Sequence, residues 1–181
     1  MEIKEKIRET KRRFMAMRNG IVADTLRSSG LPYRIIFGLN LPQLAEIAND
    51  TGPDRELAEA LWANVTTRES LMLAPMIFPG SDLSFETAAS MLEASPSIEV
   101  TDILVHSLLR KQPFARNLIL NYASHPADML RYGAMRLLAA TWRNNPDGAK
   151  DLAEAEASRQ CAMTRIVAMN ILDDMEFSGL N

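Results

Sequence analysis

Apolar residues recur at helical spacing along most of the chain, and short polar or proline-containing breaks cut the pattern into segments of one to four turns. Ile3, Ile7, Phe14 and Met17 predict a helix over 2–17 that Asn19-Gly20 should stop, and 22–28 predicts a second ending at Gly30. The run LPYRIIFGLNLP is apolar but broken by Pro32, Gly38 and Pro42, so it reads as a packed connector, with Gly38 marking a tight turn or a close helix approach. Asn40 should cap a helix carrying Leu44, Ile47 and Ala48, which Thr51-Gly52-Pro53 ends. A helix over 54–62 follows with Leu57, Leu61 and Trp62 inward. Thr66 and Glu69 have the spacing of a capping box for the helix through RESLMLAPMIF, which Pro75 should kink. Further helices are expected over 85–94 after Ser84, over 97–111 after Ser95-Pro96, over 114–124, over 127–142, over 150–157 and over 159–174. No segment alternates as a strand does, so the fold class expected is all-α.

These helices pair off. Placing the inner member of each pair near Ala74, Val105, Ala134 and Ala168 gives a spacing of roughly 30 to 35 residues, the period of stacked two-helix repeats. The architecture expected is therefore an α-α superhelix, an α-solenoid, forming one domain over 1–181. Its second helices would line the concave side and carry the binding residues.

The segment SIEVTDILVHSLLRK, residues 97–111, is the most informative. At about 100° per residue, Ile98, Val100, Leu104, Val105 and Leu108 cover one wide apolar face and leave a narrow strip of Glu99, Asp102, His106 and Arg110. Two carboxylates, an imidazole and a guanidinium at i+3 and i+4 steps can share one opening in a helical array, where a ligand would sit. The plainer reading is the solvated edge of a core helix, with Asp102 and His106 as an ordinary i,i+4 pair.

Composition narrows the class. The 181 residues are 47% hydrophobic and 24% charged, as in a globular domain with a real core. No window approaches the ~18 uninterrupted apolar residues of a membrane span, and the charged start MEIKEKIRETKRR lacks the apolar core of a signal peptide, so a cytoplasmic location and no membrane partner are expected. The net charge of -3 is unevenly spread. Residues 1–36 carry nine Lys and Arg against four acids, whereas 37–109 carry only Arg55 and Arg68 against eleven acids. A nucleic acid would meet the ends of the chain, although a solvated, salt-bridged helix face accounts equally well for the basic N-terminus.

The order of LRSSGLPYRIIFGLNLPQLAEIA, ELAEALWANVTTRESLMLAPMIF, the Val-x-Asp helix and MLRYGAMRLL resembles the DNA alkylation repair family, whose HEAT-like repeat proteins include alkylpurine DNA glycosylases. The resemblance spans about Arg13 to Met175. Its most specific pieces are FGLNLPQL and the pairs Leu61-Trp62 and Arg68-Glu69, which read as fold markers: Trp62 as core, Arg68 and Glu69 as helix-start chemistry. It implies a basic concave groove that grips duplex DNA at an alkylated purine and assists cleavage of the N-glycosidic bond. A carboxylate and aromatic rings would stand against the sugar as positive charge develops on it. Asp102 matches that catalytic carboxylate. The aromatic four residues earlier corresponds to Ile98, the intervening Asp to Glu99, the phosphate-contacting Arg to Tyr132 beside Arg131, and a second aromatic to Asn170. Losing aromatic faces removes stacking worth ~1 to 3 kcal/mol per base. The expected site is therefore Asp102 with Glu99, His106, Arg131, Tyr132, Arg136 and Arg165, the arginines Arg131, Arg136 and Arg165 contacting phosphate. The alternative partner is a protein segment bound in the groove of a non-catalytic scaffold.

Other chemistries find less support. Asp102, His106 and Glu99 could hold a divalent metal only with a ligand from another element, and His125 is not obviously near, so no metal is expected. No phosphate-binding glycine loop or nucleophile elbow is present, and no cofactor is expected. Cys161, the lone cysteine, reads as a buried thiol, and the 11 Met as adaptable core.

Overall fold

A computed structural model of the chain describes residues 2–179. Among the described residues the secondary structure is helical throughout, apart from an isolated parallel bridge between Ile35 and Thr67. None of these helices is long and apolar enough to cross a membrane. Contacts gather the chain into two compact units, Met1–Leu83 and Ser84–Asn181.

The first unit holds α1 (Ile3–Ala16), α2 (Gly20–Ser28), α3 (Leu41–Thr51), α4 (Arg55–Trp62) and α5 (Arg68–Ile77). Asn40 and Gln43 form a complete capping box on α3, and the Asp54 side chain accepts from Leu57 N–H at the start of α4. α5 packs against α3 and α4, and α4 against α1. Asp54 also accepts from Lys6 Nζ at 2.5 Å, which ties α1 to α4.

Three local expectations are corrected here. Asn19-Gly20 does not stop α1; the Asn19 side chain accepts from Val22 N–H and starts α2 instead. Trp62 is only half-buried, while its neighbours Leu57 and Leu61 are core. Thr66 and Glu69 make no capping box: the N-cap of α5 is Thr67, without a side-chain hydrogen bond. Glu69, fully buried, instead accepts from the backbone N–H groups of Phe37, Gly38 and Leu39 at 3.0, 2.9 and 3.3 Å and from Arg68 Nη1 at 3.0 Å. A carboxylate in a row of backbone amides replaces water for all of them, so the connector before α3 is held from α5. Gly38 sits in that row with φ +80°, and a Cβ there would lie 2.3 Å from Asn19 O, so it is both turn and close approach. α5 runs through Pro75, which has no N–H to donate to the carbonyl four residues earlier, and ends two residues later.

The second unit holds α6 (Phe85–Ala94), α7 (Ile98–Ser107), α8 (Ala115–Tyr122), α9 (Asp128–Thr141), α10 (Ala149–Ser158) and α11 (Ala162–Phe177), with 3-10 turns at Leu109–Lys111 and Trp142–Asn144. Ser84 caps α6 as its sequence suggests, and Ser97, expected as the first residue of its helix, caps α7. α11 begins and ends three residues later than the periodicity indicated. α9 is central and packs against α7, α8 and α11. Gly133 on α9 allows the close fit, since a Cβ there would meet Leu92 Cδ1 of α6 at 2.6 Å.

α9 and α11 run in the same direction. Near their starts, Arg131 of α9 and Thr164 of α11 both donate to Glu156 of α10, and near their ends Trp142 Nε1 donates to Asp174 at 3.1 Å. Asp102 meets Tyr132 and Arg136, so side-chain contacts across neighbouring helices of this unit recur at separations of 30, 34 and 32 residues.

Candidate functional site

α7 is amphipathic in the way its sequence suggests, with Val100, Thr101, Leu104 and Val105 buried against α9 and the opposite strip turned outward. Glu99 and Asp102 are half-buried, and His106 and Arg110 exposed, Arg110 lying in the 3-10 turn after the helix. Ile98, expected on the apolar face, is 44% exposed at the first position of α7. The sequence register is right; the helix end lets its first side chain escape the core.

Asp102 is the centre of the cluster. Its Oδ1 accepts from Tyr132 Oη at 2.9 Å and from Arg136 Nε at 2.7 Å, both on α9. Tyr132 is buried, and burial followed by the hydrogen bond to Asp102 pushes its phenol up to about 12, since a phenolate there would face both a dry wall and a carboxylate. His106 is held below the ordinary imidazole range, first by desolvation and then by the positive charges of Arg110, Lys111 and Arg136. Arg110 Nη2 stands 3.5 Å from its Nε2. Arg110, Lys111 and Arg136 thus gather about the His106 imidazole, and Arg136 alone also holds the Asp102 carboxylate.

Arg131 is not part of this cluster. Its side chain is 7% exposed and its guanidinium is committed to Glu156 at 3.0 Å, Asp128 at 2.6 Å and the carbonyls of His125 and Pro126 at 2.8 and 3.1 Å. Every face of the fork is occupied, so the residue clamps α9 to α10 where a phosphate contact was expected. Arg165 and Asn170 are both exposed on α11. Cys161, expected buried, is half-exposed at the start of α11. Among the described residues no group of three or more His, Cys, Asp or Glu side chains could hold a metal ion.

Sequence reasoning missed Glu156, buried at the junction of α9, α10 and α11. Nothing local distinguishes it from Glu154 on the same helix; only the positions of Ala149 and Ala153, buried two turns and one turn earlier, hint at which side faces inward. Arg136 is paired with Asp102, and Arg110, Lys111 and Arg136 all act on the neighbouring His106, so positive charge is concentrated about that imidazole, where an anion would be favoured. No protein-family model matches the chain, and neither a curated protein nor a solved structure is significantly similar to it.

Proposed function

We propose that this chain is a HEAT-like helical-repeat protein of the DNA alkylation repair type that binds duplex DNA by its phosphates and does not itself cleave the N-glycosidic bond. The repeat reading is supported by helix-to-helix contacts at separations of 30, 34 and 32 residues and by the common direction of α9 and α11. The observation that carries the binding reading is the cationic group of Arg110, Lys111 and Arg136 in a chain whose net charge is -3. Arg136 and Arg165 are the phosphate contacts, and His106 adds charge when protonated.

Asp102 acts in this reading as a positioning residue. A carboxylate whose Oδ1 is shared by a guanidinium and a phenol offers less field to a cationic sugar than a free one, and Ile98 and Asn170 supply no aromatic face. Asp102 instead orients Arg136 toward the backbone of the duplex.

Fluorescence anisotropy with labelled duplexes, with and without a methylated purine, tests the reading. Affinity should fall steeply with added salt, and Arg136→Gln should lower the slope of log affinity against log salt by about one. A salt-insensitive complex, or none at low ionic strength, would sink DNA binding and leave the protein-segment scaffold. Release of a methylated purine at protein excess, lost in Asp102→Asn, would overturn the non-catalytic assignment.

A further inference from the structure

A second site lies within the same unit, walled by the start of α8, the end of α9 and α10. It is a cavity of about 190 Å³ with Ile119, Leu138 and Leu152 in its wall and Arg110 and Arg116 among its polar lining. No Asp or Glu lines it among the described residues. Of the seven arginines of this unit, Arg131, Arg136, Arg143 and Arg159 each pair with a carboxylate, and Arg165 is exposed on α11 away from the cavity lining. Arg110 and Arg116 have no carboxylate partner among the described residues; Arg116 Nη1 reaches the side-chain oxygen of Asn145 at 3.3 Å. Two guanidiniums bordering one half-apolar pocket without a counter-charge are a receptor for an anion, because the fork geometry of Arg matches a carboxylate or phosphate.

The wall selects between those anions. Apolar Ile119, Leu138 and Leu152 share the wall with the neutral polar side chains of Gln112, Thr141 and Asn145, so an inorganic ion would leave the apolar part uncovered. The volume corresponds to about six waters of liquid, or on the order of eight non-hydrogen atoms of a small organic molecule. We propose that this cavity binds a small monocarboxylate with a short aliphatic body, its carboxylate on Arg110 and Arg116 and its chain on Ile119, Leu138 and Leu152. Arg110 also belongs to the cationic group beside His106, whereas Arg116 and α8 take no part in it, so Arg116→Gln tests this cavity apart from DNA binding.

Sodium hexanoate titrated into the full chain, followed by calorimetry and by backbone amide NMR, tests it. One saturable site is expected, with amide shifts centred on the start of α8 and the end of α9. Acetate should bind at least about tenfold more weakly, because it leaves the wall uncovered. Arg116→Gln should weaken hexanoate about tenfold without changing the melting temperature, and Arg110→Gln is a second variant should the first fail to fold. Absence of saturable binding would overturn the proposal. So would hexanol or inorganic phosphate binding as tightly as hexanoate, or undiminished affinity in both folded variants.

Discussion

Truncating Glu69 to alanine removes the carboxylate that holds the connector before α3. The side chain is fully buried, and four donors converge on it at 2.9 to 3.3 Å: the amides of Phe37, Gly38 and Leu39 and the Arg68 guanidinium. A hydrogen bond to a charged group contributes about 1.5–3 kcal/mol, and removing one member of a buried ion pair costs about 3–5 kcal/mol. The four contacts share one carboxylate and are not additive, so the total expected for Glu69→Ala is about 4 kcal/mol. For a chain of this size that lowers the melting temperature by about 8–16 °C. Glu69→Gln keeps the shape but turns an N–H₂ toward backbone N–H groups, and should cost about 2 kcal/mol. Denaturant unfolding gives the energies, and amide hydrogen exchange gives the place: Phe37, Gly38 and Leu39 should lose protection before the core of α5 does. If both variants stay within about 0.5 kcal/mol of the parent with those three amides still protected, the carboxylate does not hold the connector.

Gly38→Ala should destabilise by at least about 2 kcal/mol, since φ is +80° and the new Cβ would lie 2.3 Å from Asn19 O and 2.8 Å from Ala23 N, both backbone atoms that cannot swing away. Gly30, also at φ +80° but in open space, is the control and should cost about 1 kcal/mol; equal unfolding midpoints for the two would refute the close approach. Tyr132 has its phenol raised from 10.0 to about 12, so its stabilising contribution is complete below pH 10 and is lost as pH rises toward 12. Ultraviolet phenolate titration should show a late transition that Tyr132→Phe removes, beside the similarly raised Tyr122; an ordinary midpoint for Tyr132 would contradict its burial against Asp102.

Residues near one another in sequence proved the most legible. Asn40 and Ser84, read as caps from the sequence, start helices because a short polar side chain reaches an amide three residues on, an interaction complete within one turn, and Asp54 and Ser97 do the same where they were read only as helix starts. The faces of α7 were equally readable, since Val100, Leu104 and Val105 need only helical periodicity to point inward. Asp102 and His106 could therefore be placed on one outward strip before any tertiary contact was known.

What tertiary structure decided was the partner of each polar group. Asn19-Gly20 can end one helix or begin the next; the second outcome accompanies an Asn19 N–H that donates to Phe37 O at 2.9 Å, far along the chain. Glu69 has the spacing to fold back on its own helix start, yet three aligned amides some thirty residues earlier offer more hydrogen bonds than one cap does. Arg131 and Arg136 share α9 and look alike in sequence, but one meets Glu156 in the interior and the other meets Asp102 at the surface. Local spacing determines which way a side chain points, because the backbone carries that geometry with it. Which charge it neutralises depends on groups thirty residues away, and only packing brings those within reach.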